Sequence, residues 1–349
     1  MFAKEIRVLG FAIVMLFPFL VWTMGGPEPA NRGRSIRKTL SPDGVLIAYA
    51  WTDARGARRA IDLPISNSEL EASELALGFS VEGLRTFLID AEAAIREEMG
   101  LSALDIARKV VSRISDPERC RVDEDPVNDF QIVLRTGLRD RGGSEAEIDR
   151  VLAAYTRRWE ASRKTVCDRL QSRLKEYAGD RGMEVTARGI AVDYKRLVRD
   201  SATRLRPIAA EFRRKFGPAK KALLDAVYSF VQSIPYRQTP PVESGRYTAG
   251  VSVPLRVLAD DQADCDSKAV LFAALWLNLC GHRTILIRVP EHMLVGVAVP
   301  FPEGATIEIR STRYLLLELS CPQTTATGEI SQYSAEALAS RNYKYRIVS

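Results

Sequence analysis

One apolar run in the last third of the chain has a polar start and a glycine stop: residues 263–279, ADCDSKAVLFAALWLNL, followed by Gly281. Its eleven residues 269–279 contain a single polar side chain, Asn278. That is too long for a typical strand, so a buried helix is predicted. Asp264 or Asp266 is placed to cap its first turn, and Gly281 supplies a residue able to turn left-handed after its last. Strand-like runs follow at 284–289 (TILIRV), 292–299 (HMLVGVAV) and 314–320 (YLLLELS), the first two joined by a Pro290-Glu291 turn.

Further upstream the pattern is helical. Segments 81–99, 101–114, 145–177 and 194–216 carry apolar residues at three- and four-residue steps between charges. They are broken at Gly100, Asp116-Pro117, Asp125-Pro126, Gly142-Gly143 and 179–182. Before them, 45–52 and 57–63 flank Asp53-Ala54-Arg55-Gly56 as a hairpin. The first residues differ from all of these, because 8–26 hold no charge. A run of about twenty residues spans roughly 30 Å as a helix, one bilayer core. An uncleaved transmembrane anchor is therefore expected over 1–27, preceded by Lys4 and Arg7 and lacking a clean small-x-small cleavage site. Arg32, Arg34, Arg37 and Lys38 follow the run and argue weakly against export of the remainder. The expected organisation is an anchor (1–27), a linker and hairpin (28–65), a helical region (66–217) and an α+β catalytic region (218–349).

Composition narrows the function classes. With 50 basic against 44 acidic residues the net charge is only +6, and no nucleic-acid-binding motif appears. A basic run, Arg196 to Lys221, is read first as a solvated helix face and second as a contact for anionic lipid or a cell-wall polymer. No Cys-x-x-Cys spacing accompanies the two histidines, so neither zinc nor another cofactor is expected. Cys120 and Cys167 could pair in an oxidising compartment.

The chemistry converges on one cysteine. Cys265 lies at a helix start, where free amides and the dipole favour an anion and can bring a thiol to about 3.5–7.5. Of the two histidines, His282 lies at the other end of the same helix, roughly 25 Å away at about 1.5 Å per residue. His292 opens the returning strand and can come back over the helix start. Glu318, the one charge in its run, needs a partner when buried, and the second ring nitrogen of His292 is the one expected.

A helix-start cysteine, a strand histidine and a strand carboxylate, in that order, resemble the transglutaminase-like superfamily, whose catalytic geometry is papain-like. The resemblance rests on Ala263-Asp264-Cys265-Asp266-Ser267-Lys268 with Leu279-Cys280-Gly281, on 230–236 (FVQSIPY), which is similar to the helix end and tyrosine of bacterial members, and on Glu318-Leu319-Ser320 with Gly328-Glu329-Ile330. Ala263 stands where the family usually has Gly, and Glu318 where Asp is commoner. The resemblance covers roughly the last third of the chain and is to members of the bacterial membrane-anchored type; with the anchor read at 1–27, a single-pass protein with its catalytic domain on the extracytoplasmic side is expected. The resemblance implies a helix packed on an antiparallel sheet and a Cys265-His292-Glu318 triad acting on protein or peptide amides through a thioester, with hydrolysis and transamidation both open. Tyr236 and Gln262 are the candidate oxyanion donors beside the Cys265 amide. The competing expectation is a non-catalytic module that keeps the fold and serves as a tethered binder.

Overall fold

Alternation of apolar and polar positions builds the first sheet of the computed structural model, which describes residues 33–98, 135, 138–139, 142–281, 283–300, 303–321 and 324–349. Strands β1 (Ser35–Ser41), β2 (Gly44–Thr52) and β3 (Arg58–Ser66) form an antiparallel meander in the order β1-β2-β3. The β2–β3 pair matches the hairpin read from the sequence, and β1 adds a strand where a linker was expected. Ile47, Tyr49 and Trp51 of β2 and Ile61, Leu63 and Ile65 of β3 all point inward, as a period of two requires. After β3 come helix α1 (Asn67–Leu75), strand β4 (Phe79–Ser80), helix α2 (Val81–Glu98), helix α3 (Glu145–Gly179) and strands β5 (Met183–Thr186) and β6 (Gly189–Val192).

The chain divides into two units. One contains residues 81–177 and 185–189. Its core is Ile95, Val166 and Leu170 with Leu88 and Ala91 packed against them, and Phe87 stacks on Tyr177 at 4.2 Å. The other unit, residues 21–80, 178–184 and 190–349, holds every candidate site residue.

In that second unit the expected helical stretch 194–216 is two helices, α4 (Tyr194–Arg204) and α5 (Arg206–Phe216). Pro207 in the first turn of α5 explains the break at Leu205, since proline suits a helix start and not an interior. Helix α6 (Lys220–Ser233) ends before Pro235. The short strands β7 (Val242–Glu243) and β8 (Arg246–Tyr247) form a small sheet with β4, and helix α7 (Pro254–Asp260) leads into α8 (Cys265–Cys280). Strands β9 (Thr284–Val289), β10 (His292–Val297), β11 (Thr306–Ile309), β12 (Thr312–Leu317) and, after helix α9 (Gln332–Ala339), β13 (Lys344–Ile347) make a five-stranded antiparallel sheet ordered β11-β12-β10-β9-β13. Helix α8 packs on β9 and β10 and is wrapped by α4, α5, α6 and α7. Tyr49, Trp51, Phe212, Phe216 and Phe230 meet in edge-to-face and tilted contacts of 4.9–6.0 Å, which join the first sheet to α5 and α6.

The architecture is mixed α+β, but the expected transmembrane helix is corrected. Among the described residues no helix is long and apolar enough to cross a membrane. Helix α8 is apolar but has 16 residues, about 24 Å at 1.5 Å each, and is enclosed by protein. Helix α3 is long enough, with 35 residues, but charged throughout. Residues 1–27, on which the anchor rested, lie outside the described residues, as do the expected helix 101–114, Cys120 and His282. The single-pass membrane assignment and the extracytoplasmic placement fall with the helix. Much of the basic run is engaged within the protein: Arg196 reaches the Gly179 carbonyl and Asp200, Arg213 the Leu279 carbonyl, Arg204 Glu69, and Arg214 Glu211.

Candidate functional site

The approach to Cys265 is held rigidly. Asp261 closes α7 in a left-handed conformation and is ion-paired with Arg34, which also donates to Tyr49 Oη at 2.8 Å. The chain then forms a parallel bridge between Tyr236 and Ala263: Ala263 N–H donates to the Pro235 carbonyl and Arg237 N–H to the Ala263 carbonyl, each at 3.1 Å. Ala263 is not among the residues with positive φ, so alanine at this position carries no backbone penalty. Of the two candidate caps the structure uses Asp264, whose Oδ1 accepts from Ser267 N–H at 2.8 Å. Gly281 ends α8 at φ 63°.

The thiol does not sit in the anion-favouring surroundings that a helix start alone implies. Cys265 is 9% exposed. Its Sγ donates to Asp266 Oδ1 at 3.4 Å, and the Met293 N–H is directed at the sulfur. Burial first, then Asp266 and Asp264, push the thiol well above its ordinary value. Asp266 is shared, because Tyr194 Oη of α4 donates to its Oδ2 at 2.5 Å. Burial and that carboxylate raise the Tyr194 hydroxyl far out of the physiological range.

His292 and Glu318 meet at the end of the sheet. Extending the β10–β12 register past Val295↔Leu317 sets Glu318 opposite Leu294. It is then two residues from His292 on the same face, a diagonal that long side chains bridge. His292 Nε2 lies 3.0 Å from Glu318 Oε1. Glu318 lies one residue beyond the end of β12 and is almost fully buried. It accepts from Ser331 N–H at 2.6 Å and from the hydroxyls of Ser331 and Ser334 at 2.9 Å each, at the N-terminus of α9. Burial works to raise its carboxyl, but His292, Ser331 and Ser334 together prevail and bring it to about 2. No hydrogen bond joins the Cys265 thiol to the His292 ring, because the thiol is turned to Asp266 and His292 to Glu318.

Tyr236 stands beside the cysteine. Burial, then the charges of Cys265, Asp264 and Asp266, push its hydroxyl up to about 12, although the residue as a whole is exposed. Gln262 lies at the edge of a groove of about 780 Å³ lined also by Arg237, Gln238, Thr239, Ser252 and Val253. Among the described residues no group of three or more His, Cys, Asp or Glu is arranged to hold a metal ion.

Sequence reasoning missed four contributors. Tyr194 comes from a helix seventy-two positions upstream of its partner, and no local pattern announces it. Ser331 and Ser334 belong to a helix start, 331–334, that sequence reasoning did not read at all. Lys268, 2% exposed and donating to the Leu319 carbonyl at 3.2 Å, was visible as a cation one turn into an apolar helix. That was the one available signal. Compared with protein-family models, with curated proteins and with solved structures, the chain matches none.

Proposed function

We propose that the chain is a transglutaminase-like cysteine enzyme acting on amide bonds of proteins or peptides. The observation that carries the proposal is the His292–Glu318 pair at 3.0 Å, in which His292 adjoins Met293, the residue whose N–H is directed at the Cys265 sulfur. In the reaction His292 takes the Cys265 proton, Sγ forms a bond to the substrate carbonyl carbon, and the oxygen becomes an anion. Tyr236, Gln262 and the Cys265 N–H are the donors available to that oxygen. Collapse breaks the C–N bond, the imidazolium gives its proton to the leaving amine, and a thioester remains. Water then yields an acid and a primary amine yields a new amide. Glu318, ionised at any pH above about 2, steadies the imidazolium between the two proton transfers.

For this to run, the imidazole must reach a thiol that at rest donates to Asp266. The same observation favours a second reading, a spent site that serves as a binding module, since a buried thiol with a raised pKa is a poor nucleophile. The two readings separate when the full chain is incubated with a panel of glutamine-containing peptides, with and without added primary amine, and amide loss is read by mass spectrometry. The enzyme reading expects turnover that Cys265→Ala abolishes and His292→Ala lowers by roughly a thousandfold or more. Turnover unchanged in Cys265→Ala, or no turnover with any peptide, leaves the binding module.

A further inference from the structure

Lys268 sits three residues after Cys265 on α8, hence on the same face, and its side chain leans toward the helix N-terminus as helical side chains do. It is 2% exposed. Its Nζ donates to the Leu319 carbonyl at 3.2 Å, one residue past the acid. The preceding carbonyl, that of Glu318, accepts from Tyr228 Oη at 3.2 Å and Gln232 Nε2 at 3.3 Å. Side chains from α6 and α8 thus hold two successive carbonyls where β12 stops, and they fix the segment that presents Glu318.

Two of these three donors are neutral. The third is a buried amine, although a neutral amide does the same work at the adjacent carbonyl. Burying an ammonium is expensive unless an anion offsets it. Burial brings Lys268 down to about 7; of the groups that act on it, Cys265 raises it most, followed by Asp264, while Arg34 lowers it. Asp264 is already used as the helix cap, and Arg34 is paired with Asp261. From the end of β12 the amine meets the Leu319 carbonyl. The group left to be balanced by a positive charge here is the sulfur.

We propose that Lys268 is a positioning residue of the Cys265 site: it ties the cysteine helix to the segment bearing Glu318 and stands one turn behind the sulfur as the counter-charge of the thiolate. The proposal rests on the cysteine-enzyme reading above for its purpose, while its electrostatic content concerns the sulfur alone. At rest the pair is thiol and amine. When the sulfur gives its proton to His292 and becomes an anion, it draws a further proton from solvent onto the amine, and the ion pair offsets the burial of both.

The test is alkylation of the full chain with iodoacetamide between pH 6 and 10, with the rate at Cys265 read by peptide mass analysis. Lys268→Met should move the midpoint for Cys265 up by one pH unit or more, about a tenfold slower rate at a fixed pH below the midpoint. Lys268→Gln keeps a donor for the Leu319 carbonyl without the charge and should shift it equally. Lys268→Arg should restore part of the rate. If Lys268→Met does not fold, Lys268→Gln decides alone. A Gln variant that is folded by circular dichroism and shows the wild-type midpoint overturns the proposal, as does a wild-type Cys265 that stays unlabelled up to pH 10. Failure of the enzyme reading registers elsewhere, as absent peptide turnover with the midpoint shift intact.

Discussion

The Cys265 thiol donates to Oδ1 of its neighbour Asp266 at 3.4 Å, so the nucleophile candidate rests against a negative charge. That charge, after burial, is the largest influence raising the thiol. Asp266→Asn removes it while keeping the shape, and the pH midpoint for alkylation of Cys265 should fall by about one unit, a tenfold faster rate at a fixed pH below it. The variant should also release Tyr194, whose hydroxyl then titrates closer to its ordinary value. Ultraviolet titration of the tyrosines checks the second effect independently of the first.

The helix bearing this pair was legible because length, a polar start and a terminal glycine agree. Its expected start and its stop at Gly281 are those observed, and of the two expected caps Asp264 is the one used. The two strands after it follow from β-branched residues and a Pro-Glu turn, and the observed β9 and β10 pair antiparallel through that turn. The chemical state of the thiol was not legible. A helix start predicts a lowered pKa from local geometry alone, whereas burial and the way two aspartates face the sulfur push it up, and both depend on the tertiary fold. The partners of Glu318 were hidden for the same reason: Ser331 and Ser334 lie 13 and 16 positions downstream, on a helix whose placement no periodicity gives.

Glu318 ties stability to acid pH. Its carboxyl is lowered to about 2 in the folded protein, against about 4.3 in an unfolded chain. A depressed carboxylate contributes stability that is fully present above the unfolded value and is lost as pH falls through the folded one. Denaturant unfolding of the wild type should therefore lose on the order of 3 kcal/mol between about pH 5 and 2 from this group. Glu318→Gln should remove most of that dependence. At pH 7 it should be less stable by a similar amount, because an amide N–H₂ then faces the Ser331 N–H donor.

Lys268 acts in the opposite window. Its amine is lowered to about 7 when folded and returns to about 10.4 when unfolded. The folded state thus binds fewer protons above pH 7, and stability rises with pH by up to about 1.4 kcal/mol per unit. The window closes near pH 8.5, where Cys265 and Cys321, both raised by burial in the folded protein, begin to ionise in the unfolded chain and pull the other way. Urea midpoints measured at pH 7.0, 7.8 and 8.5 should rise in the wild type and stay flat in Lys268→Met. At pH 7 the Met variant should be the more stable of the two, since it removes an amine whose partial protonation is costly when buried, a gain that outweighs the lost hydrogen bond to the Leu319 carbonyl. That stability gain alongside slower Cys265 alkylation would separate a charge placed for the sulfur from one placed for the fold.

Gly296 tests whether the sheet that carries His292 tolerates any added bulk. It lies in β10 opposite Ile285 and Leu316. A methyl group there would stand 2.7 Å from Ile285 Cγ1 and 3.2 Å from Tyr314 Cβ. Ile285 and Tyr314 are both fully buried in the face covered by α9, so neither has open space to move into. Overpacking of this kind costs about 1–3 kcal/mol, and Gly296→Ala should lose that much in urea unfolding at pH 7. Because His292 is four residues along the same strand, the strain should also reach the histidine. The imidazole resonances of His292, followed by NMR at one pH, should shift in Gly296→Ala. In a control, Ala298→Gly, just beyond the end of the strand, they should stay where they are. Equal imidazole resonances in all three proteins would mean that the His292–Glu318 contact is set by α9 and not by the sheet.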